Sequence, residues 1–219
     1  MSDTHDHGHS HEHDEDWPYP HPKQPDIEDG PLTEHMIMTE AVEQLLIDKG
    51  IFSADEMRRT LEVIDSKSPA NGAKMIARAW LDPGFKSRMM EDVNAAAKEL
   101  DIDAGPIPIL AIENTHTLHN AIVCTLCSCY PKHLIGLPPD WYKSRNYRSR
   151  MISEPRAVLA EFGTMLPDDV EVRVHDSTAD VRYMILPMRP KGTEDMDEEA
   201  LTALVTRDCM IGVTAIDRD

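Results

Sequence analysis

Apolar residues recur at helical spacing through the first half of this chain, and strand-like runs appear only in the second half. Over 33–50, Met38, Val42, Leu45 and Leu46 share one helical face, and Gly50 stands where a helix would stop. Ser53-Ala54-Asp55-Glu56 has the spacing of a capping box and opens a second helix through Ile64. A third is predicted from Pro69 to Trp80, with Met75, Ile76 and Ala79 inward. Asp82-Pro83 restarts the chain into a fourth, to about Leu100, with Phe85, Met89, Val93 and Ala97 as an i, i+4 stripe. After Asp103 the pattern changes. Residues 106–112 are apolar and β-prone, and Ala121-Ile122-Val123 is a short apolar lead. Residues 131–151 read as loop, then as a basic and aromatic stretch. A short helix over Glu154–Phe162 precedes strands over Val170–Val174 and Val181–Leu186. A helix over Asp197–Val205 and a last strand over Met210–Val213 complete the pattern.

Helices first and mixed elements later predict an α/β class, α+β in character. A helical arm over 32–102 would precede a layered globule over 103–219. The narrow apolar faces of the arm suggest that part of it clasps another subunit. Residues 1–31 hold six of the eleven histidines (His5, His7, His9, His11, His13 and His21), nine acids and one lysine. So little apolar content predicts a disordered tail, either a metal-gathering segment or simply a solvated one.

Charge narrows the partners. The formal net charge is −18, which argues against nucleic acid and anionic lipid, both of which need cations. No run of about 18–20 apolar residues suggests a membrane span, and the acidic N-terminus lacks a signal-peptide pattern. A cytoplasmic, reducing location is the expectation. Three of the four cysteines fall within six residues there, as Cys124, Cys127 and Cys129, so metal or redox chemistry is favoured over disulfides. A structural zinc site would want a second ligand pair, which the chain lacks. A third thiol and the absence of a preceding βαβ pattern weigh against a C-x-x-C redox pair. Three soft ligands on one turn suit a metal with an open position. The backbone amides of Ser128 and Cys129 lie at chelate-ring distance within that turn.

Val123-Cys124-Thr125-Leu126-Cys127-Ser128-Cys129-Tyr130 resembles the metal-binding motif of nitrile hydratase alpha subunits. The resemblance extends over about residues 36–216, through Arg78-Ala79-Trp80, Glu113-Asn114-Thr115, Gly136–Lys143, Glu154–Gly163 and Val205–Val213. It implies a non-corrin Co(III) held by Cys124, Cys127, Cys129 and the amides of Ser128 and Cys129. Thr125 points to cobalt rather than Fe(III). It implies Cys127 as sulfinic and Cys129 as sulfenic acid, both taking part in catalysis. It implies Asp176, Asp180 and Arg182 as residues that orient this claw, and a beta subunit as obligatory partner in a heterodimer or heterotetramer. The activity implied is hydration of a nitrile to an amide.

The chain departs from that pattern at several places. Lys132 stands where a tryptophan commonly lines the substrate pocket, and His175 and Met196 replace other tryptophans. Gly105 stands where a glutamine is often found, and Asp180 where glutamate is commoner. An ammonium near the metal would favour an anion. The gamma subunit of thiocyanate hydrolase, which shares the claw, is therefore a second expectation. A metal-delivery protein without catalysis is a third.

Overall fold

The computed structural model describes residues 32–216 of the 219. The predicted disordered tail lies outside the described residues. Two helices come first. α1 (Glu34–Asp48) opens on Thr33, whose hydroxyl accepts from Met36 N, and closes before Gly50 at φ 68°. α2 (Ala54–Asp65) opens on the expected capping box, with Ser53 and Glu56 each satisfying the other's backbone N–H. No residue of α1 is buried, and Ile37, Met38, Val42, Leu45, Leu61 and Val63 are exposed.

The next three helices behave differently. α3 (Pro69–Leu81) buries Met75, Ile76 and Ala79 as the spacing requires. The predicted fourth helix is two: α4 (Pro83–Glu91) and α5 (Val93–Lys98). Asp92 divides them, because its carboxylate accepts from Ala95 N in an N-cap geometry, and aspartate favours a cap over a helix interior. The stripe survives the break: Phe85, Met89, Val93 and Ala97 are all buried, in one core with the strands that follow.

The strands form two small parallel pairs. β1 (Ile109–Glu113) pairs with β4 (Arg182–Leu186), and β2 (Leu118–Val123) with β3 (Glu171–Asp176). β2 is buried along nearly its whole length, whereas β3 alternates. Between β2 and β3 the stretch expected as loop and basic-aromatic segment folds into short helices: α6 (Lys132–Ile135), α7 (Asp140–Lys143) and α8 (Arg145–Ser153). Ser144 caps α8 by accepting from Tyr147 N, and the buried rings of Tyr142 and Tyr147 draw this segment onto the core. α9 (Pro155–Glu161) follows as expected, and α10 (Glu198–Leu204) lies after β4.

The last predicted strand is a helix, α11 (Arg207–Ile211). Its apolar run Met210-Ile211 is equally compatible with a buried helix, and the flanks decide. Thr206 accepts from Cys209 N at the start, and Gly212 stops the helix at φ 88°. A Cβ at Gly212 would lie 2.2 Å from the Asn120 carbonyl oxygen, so this turn can approach β2 only without a side chain. Among the described residues no helix is long and apolar enough to cross a membrane.

Candidate metal centre

β2 delivers the chain to the site. Its last residue, Val123, sits in register opposite Asp176, the last residue of β3. The turn Cys124–Cys129 therefore leaves the sheet at the carboxyl end of two paired strands. Asp176 grips it at once: one carboxylate oxygen accepts from Thr125 N at 2.9 Å and the other from Thr125 Oγ1 at 2.5 Å. Cys127 N donates to Cys124 Sγ at 3.2 Å, which curls the turn. From below, Tyr142 OH donates to Cys129 O at 3.0 Å and Tyr147 OH to Ile122 O at 2.7 Å. Both hydroxyls belong to a cluster in which Trp141 meets Tyr147 edge-on and Phe162 at a tilt, with centroids 4.9 and 4.7 Å apart. From the side, Arg148 Nη1 donates to Cys127 O at 3.2 Å.

The result is a convergent sulfur set. Cys124 Sγ and Cys127 Sγ are 3.4 Å apart, Cys127 Sγ and Cys129 Sγ 3.3 Å, and all three lie within 4.8 Å of one another. At a metal–sulfur distance of about 2.3 Å, right-angled ligands stand about 3.3 Å apart and tetrahedral ones about 3.8 Å. The spacing fits adjacent corners of an octahedron or square better than a tetrahedral zinc site. The backbone N–H groups of Ser128 and Cys129 help to hold the Cys127 thiol below its usual range. Among the described residues this is the one cluster of at least three such side chains that could hold an ion. His119, buried, donates instead to Gly212 O at 2.7 Å. Cys209 is in α11, its sulfur on Thr206 O at 3.0 Å, with burial pushing its thiol up to about 11.

The three thiols are not equivalent. Hydrogen bonds from the Cys129 and Cys124 sulfurs hold Cys127 below the usual thiol range. Burial, then the neighbouring Cys127 sulfur, pushes Cys129 up to about 12, against the charge of Arg182. Cys124 is fully buried while Cys127 is exposed. In the metal-free chain, Cys127 is the first of the pair to become thiolate.

A cleft of about 900 Å³ opens beside the turn, lined by Cys127, Ser128, Cys129, Lys132, Lys143 and Arg182 among others. Lys143 is ion-paired with Asp140 at 2.8 Å. Lys132 is exposed. Of the residues expected to orient the claw, Asp176 touches it through Thr125, and Arg182 lines its cleft. Asp180 is exposed, and its backbone N–H, bonded to Thr178 Oγ1, is its one hydrogen bond here. Among the described residues no ion pair joins Asp180 to Arg182. Arg148 and Tyr142 were not anticipated, because nothing in a basic-aromatic stretch tells which side chain reaches back to a turn 13 to 21 residues earlier.

Comparison with known proteins agrees with this geometry. Residues 33–214 match the family model for the nitrile hydratase alpha chain. The low-molecular weight cobalt-containing nitrile hydratase subunit alpha of Rhodococcus rhodochrous is 48% identical over 176 residues, which is 80% of this chain and 85% of that one. The thiocyanate hydrolase subunit gamma of Thiobacillus thioparus is 40% identical over 201 residues, 86% of this chain and 82% of that one. A solved double mutant of the Fe-type nitrile hydratase from Comamonas testosteroni Ni1 superimposes with a TM-score of 0.81 at 38% identity, covering 86% of this chain and 93% of that one. A match through both the arm-like helices and the claw leaves one conclusion: the chain belongs to the nitrile hydratase alpha-chain family.

Proposed function

We propose that this chain is the metal-holding, alpha-type subunit of a cobalt nitrile hydratase, hydrating a nitrile to its amide. The observation that carries the reading is the set of three sulfurs at coordination spacing, of which Cys127 and Cys129 open onto a cleft. Cys124, Cys127 and Cys129 would hold the metal with the backbone nitrogens of Ser128 and Cys129. Thr125 and the cobalt-containing relatives support cobalt. Bound there, Co(III) supplies Lewis acidity toward a nitrile nitrogen and so makes the C≡N carbon electrophilic. In this reading, carried over from the family resemblance, Cys127 carries a sulfinic and Cys129 a sulfenic acid, states that metal binding would protect. Cys129 faces the cleft, where its oxygen would approach the nitrile carbon or orient the attacking water. Asp176 keeps the claw in register with the sheet by its two bonds to Thr125. Arg182 brings positive charge to Cys129.

The cleft is open on one side, and in this reading a beta subunit closes it in a cytoplasmic hetero-oligomer. Leu126, 87% exposed at the tip of the claw, and the uncovered faces of α1 and α2 suit such a partner.

Lys132 favours a second reading. It lines the same cleft as Cys127 and Cys129, and with Arg182 places two cations there that have no ion pair among the described residues. A small anion with a C≡N group, such as thiocyanate, would be drawn to it. The discriminating experiment co-expresses the chain with its partner subunits and assays aliphatic and aromatic nitriles beside thiocyanate. Amide from a nitrile supports the first reading. Carbonyl sulfide and ammonia from thiocyanate, with no amide from any nitrile, would replace it by the second.

A further inference from the structure

Arg148 holds two carbonyl oxygens of the claw and makes no ion pair among the described residues. Its Nη1 donates to Cys127 O at 3.2 Å and, more weakly, to Thr125 O at 3.5 Å. Its Nε is buried without a partner. Other acids of this region have partners: Arg150 binds Glu154 and Glu161, Lys143 binds Asp140, and Asp176 accepts from Thr125 N and Oγ1. A half-buried guanidinium with one nitrogen unpaired and no ion pair among the described residues costs stability. An apolar side chain would serve the fold of α8 better.

The geometry of the peptide explains what the cost secures. The chain has no cis peptide among the described residues, so the Cys127 carbonyl and the Ser128 N–H point in opposite directions. Holding Cys127 O against Arg148 turns Ser128 N away from α8, and the Ser128 N–H is among the groups that hold the Cys127 thiol down. Ser128 O, the carbonyl of the next peptide, has no such grip among the described residues. One of the two amides in the turn is thus aimed by this chain's own side chain.

We propose that Arg148 is a positioning residue for the metal centre, which orients the Cys127–Ser128 peptide with its nitrogen toward the sulfurs and supplies the positive charge that balances a claw of thiolates. This rests on the reading of the claw as a metal site. It also accounts for an arginine without an ion pair among the described residues: the loaded claw is its counter-charge.

The test uses the full complex with its partner subunits, loaded with cobalt, as parent, Arg148→Met, Arg148→Lys and Arg150→Gln. Cobalt per chain is followed under chelator, together with the sulfur-to-cobalt absorption band and the melting temperature of the metal-free chain. Arg148→Met is expected to lose cobalt at least about 10-fold faster than the parent, with a shifted band and a melting temperature no lower than the parent's. Arg148→Lys restores part of the retention, since it keeps the charge without the planar fork. Arg150→Gln, which breaks two ion pairs on the same helix, lowers the melting temperature and keeps the cobalt. Parent-like retention and absorption in Arg148→Met overturn the proposal, as does equal cobalt loss from Arg150→Gln. If Arg148→Met fails to fold, Arg148→Lys decides: parent-like retention overturns the proposal and intermediate retention upholds it. A parent that takes up no cobalt overturns the metal reading itself, and this inference with it.

Discussion

The claw and the α1–α2 segment both present apolar side chains to solvent, yet they are built in opposite ways. The claw is held by its own chain from three directions: Asp176 at the end of β3, Tyr142 in α7 and Arg148 in α8. Each of these bonds joins a backbone group of the turn to a side chain from β3, α7 or α8, elements that flank the core, so the turn is tied to the folded body. α1 has its internal ladder and caps but buries nothing. One region is complete in structure and lacks walls, while the other has local structure and lacks a surface to lie on. The difference teaches that the first helices are not all of one kind: Met75, Phe85, Met89 and Val93 of α3–α5 share one core with β1, β2 and β4, whereas no residue of α1 is buried.

Breaking the claw should have the largest effect. Cys127→Ser removes the sulfur that lies within 3.4 Å of both others. Metal content, measured by elemental analysis, should fall by more than the 10–100-fold that losing an outer partner typically costs. A fully loaded variant would show that Cys127 is not a ligand.

The two kinds of helix can be probed next. Met89→Ala in α4 should destabilise the isolated chain by about 2–5 kcal/mol in urea unfolding. Val42→Ser in α1 should change it by less than about 0.5 kcal/mol, as for an exposed site, while weakening association with a partner subunit. Equal losses from the two would erase the distinction between the regions.

Asp176→Ala removes both bonds to Thr125. Metal affinity should drop about 10–100-fold, with the fold retained by far-UV circular dichroism. An unchanged affinity would mean that β3 does not hold the claw.

A smaller effect reads the thiols themselves. In the metal-free chain at pH 8, Cys127 lies below the usual thiol range, whereas Cys129 is pushed up to about 12 and Cys209 to about 11. A lowered value means more thiolate at a given pH, and thiolate is the nucleophile. Iodoacetamide should label Cys127 at least about tenfold faster than Cys129 or Cys209 in initial rate. The ratio should shrink as pH rises toward 11–12. Mass spectrometry of the labelled peptides measures it, and equal rates at pH 8 would contradict the packing of Cys129. Smallest of all, Lys132→Trp should leave stability within about 0.5 kcal/mol and move substrate preference from anions toward apolar nitriles. Unchanged preference would place the ammonium in bulk solvent.

Much of this molecule is determined locally. The capping box at Ser53, the stop at Gly50, the inward stripe from Phe85 to Ala97 and the three clustered thiols follow from spacing alone, because caps, periodicity and chelate distance act over a few residues. Where local signals competed, sequence reading failed: Asp92 preferred to cap, and Met210-Ile211 folded as helix once Thr206 and Gly212 bracketed it. Tertiary structure alone decided which side chains serve the claw. Asp176 reaches Thr125 because two parallel strands end together, and Arg148 reaches Cys127 because buried aromatic rings seat α7 and α8 beneath the turn. Contacts across 21 to 51 residues depend on how layers pack, and no periodicity along the chain encodes that.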